Sequence, residues 1–365
     1  MVEKNPRITL DDDARGIESI PGSSAFLDWL WDASLIGDDG KRYWFGGSPL
    51  ILKLENVDIV TWELCTETGE ILQDPGSVYK VADFLGSQRS RKDVLPGGSH
   101  TVTRTEDEVI VEIGCIKVIC RDDQSWNIIV NDPEKGFSAD ITHRPDCHGP
   151  LWYGREKPSY LTQHSVTYGY NCSGRVEGTL TIDGRTVKVE GAGIRERYVA
   201  TDSSAAEIGG WEDWGWFHFD EAFGSMYDMR LGMKDQVVTL QEEGIYLPAG
   251  KMEIEHHDWV YVPRFGGFVP GVYRISIETE KGTINFSARA VNVRTWGVTG
   301  NVPDNPVATI AWDAVEGTFT YTDGTVKTLT NGFGGMSIRQ WRAYPSLIPP
   351  IANNSLNREA RFTTL

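Results

Sequence analysis

Residues 173–197 read SGRVEGTLTIDGRTVKVEGAGIRER. Thr179-Leu180-Thr181-Ile182 alternates polar and apolar side chains with a period of two, the spacing that lays one apolar row along one face of a strand. Asp183-Gly184 follows at once, a pair that supplies the positive φ values a tight two-residue turn requires. The same grammar recurs outward in both directions. Val109-Ile110-Val111-Glu112-Ile113 and Tyr273-Arg274-Ile275-Ser276-Ile277 alternate, and Asp39-Gly40 and Asp323-Gly324 repeat the turn signal. Only Val78–Leu85 and the region near Ala205 offer short helical candidates, and neither sustains a 3.6-residue apolar stripe. The expected class is all-β. Turns this frequent favour closed or nearly closed barrels over one open sheet, because closure removes exposed strand edges.

Composition agrees. Among 365 residues, 13 Trp and 39 Gly lean towards turns and aromatic walls. A net charge of -17, with no Lys/Arg cluster to interrupt it, repels nucleic acid and anionic membrane surfaces, so neither is an expected partner. No apolar run approaches the roughly 18 residues that would read as a membrane span, and the N-terminus has no apolar segment of signal-peptide type; a soluble, cytoplasmic protein is expected. The five cysteines form neither a dense framework nor CxxC pairs and read as free thiols. His143, Asp146, Cys147 and His148 lack the spacing of known zinc sites, so no metal is expected, and His256-His257 reads as structural, its members pointing opposite ways on a strand.

The segment HRPDCHGPLWYGREKPSY (143–160) concentrates Pro, Gly and polar residues midway along the chain and reads as a crossing between domains. The expected organisation is a polar N-terminal tail (1–24), a first β domain (25–158), a second β domain (159–345) and a C-terminal tail (346–365).

Two regions carry a family resemblance. FLDWLWDASLIGDDGKRYWF (26–45) resembles the first hairpin of the AttH/CrtC group of lipocalin-like proteins, which includes carotenoid 1,2-hydratase and kievitone hydratase. The 173–197 stretch, followed by WEDWGWFHF, is similar to that family's second domain. The resemblance implies two tandem lipocalin-like β-barrel domains, an apolar or phenolic substrate, and hydration, isomerisation or cyclisation without an organic cofactor. Where many relatives carry Asp-His-Ser-Trp after the Gly-x-Gly, this chain has Glu196-Arg197-Tyr198-Val199, so the acid position is filled by Glu196 while the His and Trp are missing.

Residues 211–231, WEDWGWFHFDEAFGSMYDMRL, are too aromatic for a surface hairpin and too charged for an ordinary core. With Asp220–Phe223 as the turn, Asp213 faces Arg230, Gly215 faces Asp228 and Phe217 faces Met226. One face then collects Asp213, Phe217, Asp228 and Arg230, and the other Trp214, Trp216, His218, Tyr227 and Met229. Hydrating an alkene needs a proton delivered to carbon, stabilisation of the cation that develops, and a positioned water. A carboxylic acid among apolar rings stays protonated near neutral pH, aromatic faces attract a developing cation by about 0.5–2 kcal/mol each, and a second carboxylate, a Tyr or a His can deprotonate the water. Asp213 and Asp228 are the first catalytic candidates, Tyr227 and His218 the alternatives from the opposite face, and Glu196 a second-choice proton donor. Trp211, Trp214, Trp216, Phe217, Arg195, Arg230, Tyr160 and His164 are the candidate substrate contacts. Plainer roles compete: Asp213 and Arg230 as a cross-strand ion pair, the tryptophans as core, Arg197 as a solvated strand end. No nucleophile elbow, P-loop or dinucleotide fingerprint occurs. The expected function is a cofactor-independent hydratase, dehydratase or isomerase of a terpenoid, polyene or phenol, with a non-catalytic carrier or a substrate-folding cyclase as the alternatives. A homodimer is compatible with this reading.

Overall fold

The Asp183-Gly184 turn forms as the sequence dictates, with φ of 51° and 79°. It joins the strands Val166–Ile182 and Arg185–Ala200, which stay in register from Ile182↔Arg185 to Thr167↔Ala200. The computed structural model describes residues 7–16, 26–53, 56–66, 68, 70–73, 80–83, 89–145, 151–153, 159–160, 166–200, 211–229, 234–241, 245–262, 267–296 and 307–340. The fold is all-β, in two units that are each built on one curled antiparallel sheet.

In the first unit the hydrogen-bonded order is Arg89–Pro96, Val57–Cys65, Arg42–Leu52, Phe26–Gly37, Arg185–Ala200, Val166–Ile182, Phe137–Pro145, Trp126–Asp132, Ile116–Arg121, Glu108–Ile113, His100–Arg104. Its two end strands are consecutive in sequence, separated by Gly97-Gly98-Ser99, and do not pair with each other. Alternation decides what lies inside: Leu27, Trp29, Trp31, Ala33 and Leu35 enter the core, while Asp28 and Asp32 take the opposite face.

The second unit runs Trp211–His218, Ala222–Met229, Lys234–Leu240, Ile245–Val262, Gly267–Thr279, Gly282–Trp296, Val307–Tyr321, Phe333–Gln340, each strand pairing with the next. The last then pairs with the first, Trp211↔Gln340 to His218↔Phe333, so the ring closes as an up-and-down barrel. Its interior holds Phe217, Phe219, Met226, Phe286, Trp312 and Met336 among others. At about 1.5–3 kcal/mol per large apolar side chain buried, this packing is the main force holding the ring.

Five expectations need correction. The strands Val166–Ile182 and Arg185–Ala200, expected in the second domain, close the first sheet by pairing with Phe26–Gly37 and Phe137–Pro145. The 143–160 segment is therefore no crossing: Leu151–Tyr153 and Ser159–Tyr160 also pair with Val166–Ile182. The units divide as residues 1–66 with 88–207, and 67–87 with 208–365, so a short insertion of the first half belongs to the second unit. Within it Lys80–Asp83, part of the short helical candidate Val78–Leu85, is a strand lying parallel to Val260–Tyr261. Finally, residues 7–16 are not a free polar tail: Ile8 and Leu10 lie in the first core, and the helix Leu10–Ala14 buries Asp13. Residues 346–365 and the region near Ala205 lie outside the described residues.

Candidate active site

Asp213 and Asp228 are brought together more directly than the sequence suggested. The chain turns at Phe219–Ala222, where the Phe219 N–H donates to the Ala222 carbonyl, and this sets the register Asp213↔Asp228 and Phe217↔Gly224. The expected register was off by two residues, a slip that preserves which face each side chain takes. Asp213 consequently faces Asp228 rather than Arg230, which lies outside the described residues, so the expected ion pair gives way to two carboxylates side by side.

The Asp213, Phe217, Asp228 face is the barrel interior, since Phe217 and Met226 belong to its core. Asp213 is 0% exposed and Asp228 6%. From the Trp211–His218 strand, Asp213 Oδ1 reaches across the lumen to His256 Nε2, 3.0 Å away on the Ile245–Val262 strand. The strands Ala222–Met229 and Lys234–Leu240 separate the two in the ring, so the contact spans the interior. Directly opposite His256 stands Tyr273, and the imidazole meets the rings of Tyr273 and Trp259 edge-on, with centroids at 5.4 and 5.7 Å. Asp213 Oδ2, the Tyr273 hydroxyl and Gln236 Oε1 are buried with no hydrogen-bond partner among the described residues. Burial, with the Asp213 charge second, holds the Tyr273 phenol well above its usual range, so it stays a proton carrier at any physiological pH.

Asp228 Oδ2 accepts from Lys234 Nζ at 2.9 Å, and the Lys234 side chain is 47% exposed. This pair marks the end of the barrel that meets water. Phe217, Phe286 and Trp312 pack in the same interior as a tilted series of rings, with centroids 5.2 and 5.5 Å apart. The site is therefore a carboxylate, an imidazole, a phenol and a second, lysine-held carboxylate, in an interior that also holds these rings. Unsatisfied buried polar atoms are costly, and each calls for a physical explanation.

The other sequence candidates lie elsewhere. Trp214, Trp216 and Tyr227 are buried on the outer face of the same two strands, outside the core cluster. His218, also outward, lies between Phe223 and Phe333, its ring nearly parallel to both. Trp211 opens its strand opposite Gln340, and Tyr160 pairs with Val166 in the first unit; neither side chain is among those described, and His164 lies outside the described residues. Arg195 and Glu196 belong to the first unit, on opposite faces of one strand. Arg195 is wholly buried inside it, and Glu196 shares the outward face with Asp28 and Asp32. Neither belongs to the unit that holds Asp213. His256 and Tyr273 are not among the sequence candidates, where His256-His257 reads as structural. Alternation did place one of His256 and His257 inside, and it is His256 that meets the buried Asp213 carboxylate.

No protein-family model matches the chain, and no curated protein matches it. Solved structures do. The AttH protein of Nitrosomonas europaea aligns at 12% identity and a TM-score of 0.60, over 93% of this chain and 98% of that one. Kievitone hydratase from Nectria haematococca aligns at 11% and 0.57, over 93% and 97%. CghA, crystallised with Sch210972, aligns at 13% and 0.57, over 92% and 93%. The chain has the AttH-like fold. The tandem lipocalin-like architecture implied by residues 26–45 and 173–197 is thereby borne out, although 173–197 lies in the first unit rather than the second.

Proposed function

We propose that this protein is a cofactor-independent lyase or isomerase that hydrates or dehydrates a hydrophobic small molecule of the terpenoid, polyene or phenolic class, in the cytoplasm. The observation that carries the reading is the buried Asp213–His256 pair beside the Tyr273 hydroxyl, with one carboxylate oxygen uncommitted. A proton shared between carboxylate and imidazole is available for delivery to, or removal from, a carbon seated against Asp213 Oδ2. Tyr273 would hold the water or the leaving hydroxyl, and the Phe and Trp rings would face the developing cation. Lys234 holds Asp228 at the wet end, where water enters.

The fold likeness to kievitone hydratase supports a hydration reaction. Incubation with a panel of prenylated phenols and acyclic polyenes, followed by mass analysis for the gain or loss of one water, tests it. Asp213→Asn and His256→Phe are each expected to abolish turnover while far-UV circular dichroism stays as in the wild type. Undiminished turnover in both would remove the acid–base reading.

A second reading is favoured by the likeness to CghA and by the buried outward row Trp214, Trp216 and Tyr227, which offers a wall rather than a proton. A cyclase that works by folding its substrate would survive Asp213→Asn and lose activity with Trp216→Ala.

A further inference from the structure

The interior of the first unit contains polar machinery that the proposed reaction does not use. Asp13 is 1% exposed, and its Oδ1 accepts from Tyr170 Oη at 2.6 Å and from Trp126 Nε1 at 3.2 Å. Two fully buried guanidinium groups stand beside it. Arg195 lies over the rings of Trp126 and Tyr170, 4.9 and 5.6 Å from their centroids, and Arg197 lies 3.8 Å from the centroid of Trp29. Arg197 also donates to the backbone carbonyls of Asp13 and Arg15, gripping the N-terminal segment along its length. Of the Arg195 nitrogens, Nη1 donates to the Gln124 carbonyl, while Nε and Nη2 have no partner among the described residues.

A hydrophobic cluster of the same volume would be as stable or more so, because a buried ion pair seldom repays its desolvation. Two arginines against one interior carboxylate leave positive charge in excess. Burial pushes the Asp13 carboxyl up despite both cations, so the fold holds this carboxylate at a net cost. Asp13 also arrives from outside the sheet, on a segment whose Ile8 and Leu10 sit in the core. An apolar stem that ends in a carboxylate is the shape of a free apolar carboxylic acid.

We propose that the interior of the first unit is a carboxylate-binding site, built from Trp126, Tyr170, Arg195 and Arg197, which the chain fills with its own Asp13 and which a free apolar monocarboxylate can occupy in its place. The N-terminal segment acts as a tethered competitor for that site. Removing the Asp13 charge therefore opens the site to carboxylates, while wild-type protein binds them weakly.

The test uses the full chain with Asp13→Ala, and with acetate and decanoate as probes. Sodium acetate is expected to raise the melting temperature of the variant saturably, and isosteric acetamide is not. Decanoate, followed by tryptophan fluorescence, is expected to bind the variant at least about tenfold more tightly than the wild type, the scale of one charge-assisted hydrogen bond. Adding Arg195→Met is expected to remove both effects. Equal rescue by acetate and acetamide, or decanoate binding no tighter than in the wild type, would overturn the proposal. Should Asp13→Ala not fold, Asp13→Asn keeps the shape and loses the charge; it too must bind decanoate more tightly than the wild type, and failure there is equally decisive.

Discussion

Replacing His143 by leucine should make the first unit markedly less sensitive to acid. His143 lies on the Phe137–Pro145 strand, opposite Trp126 on one side and Val176 on the other, and is 1% exposed. Burial first, and the Arg195 charge second, push its imidazole down from 6.5 to about 3. Between those values the unfolded chain binds a proton that the folded chain refuses, so stability is lost as the pH falls from about 6.5 towards 3. At pH 4 the loss amounts to about 3 kcal/mol if the whole shift is expressed. Asp13, in the same interior, works the other way. Its carboxyl is raised, mainly by burial, so its contribution is present at low pH and is lost as the pH rises from about 3.8 through its folded value. The wild-type acid slope mixes the two, and the difference between wild type and His143→Leu isolates the histidine. Thermal unfolding of both proteins at pH 7, 5 and 4 is the assay, with the imidazole signals of histidine-labelled protein followed by NMR as a direct check. The two melting temperatures are expected to converge, or cross in favour of leucine, on acidification. A His143 resonance that titrates near 6.5, or parallel acid slopes in the two proteins, would refute the reasoning.

Other outcomes follow from single contacts. Tyr273→Phe removes a buried hydroxyl that has no partner among the described residues, so stability should hold or rise by about 1 kcal/mol while turnover falls; a lower melting temperature would contradict the unsatisfied state. Gly224 faces Phe217, and a Cβ there would strike the Val237 carbonyl and the Phe217 ring, so Gly224→Ala should destabilise the second unit by about 1–3 kcal/mol in thermal melts. Lys234→Met leaves the buried Asp228 carboxylate without its cation and should cost about 1–3 kcal/mol in the same measurement. Cys120 is wholly buried and its thiol is pushed far up by burial, so iodoacetamide should label it only after urea unfolding, as mass spectrometry of its peptide would show.

The sequence displayed its strands clearly and their partners poorly. Period-two alternation and Asp-Gly turns are local signals, and they placed the strand at 179–182, the Asp183-Gly184 turn after it and the faces of the 211–229 hairpin correctly. Which unit a strand joins depends on pairings made across long stretches of chain. The 143–160 composition imitated a linker because its Pro, Gly and polar residues surround only short paired segments, Leu151–Tyr153 and Ser159–Tyr160, too brief to show alternation. Asp13 fell within the expected polar tail, since nothing nearby in sequence announces that Arg195 and Arg197 await it inside the first unit. At the candidate site, Asp213 and Asp228 were legible from the aromatic company they keep. His256 and Tyr273 were not, because their meeting with Asp213 spans the lumen between strands that do not touch.

The strand Lys80–Asp83 lends its backbone to Val260–Tyr261 rather than to the sheet that forms around it in sequence. During synthesis it leaves the ribosome long before its partner exists, so the second unit cannot be completed until the first has been almost wholly translated. The second half thus cannot be expressed whole as one piece of chain without the first, and a cut placed between the halves at residue 207 would leave this strand on the wrong fragment.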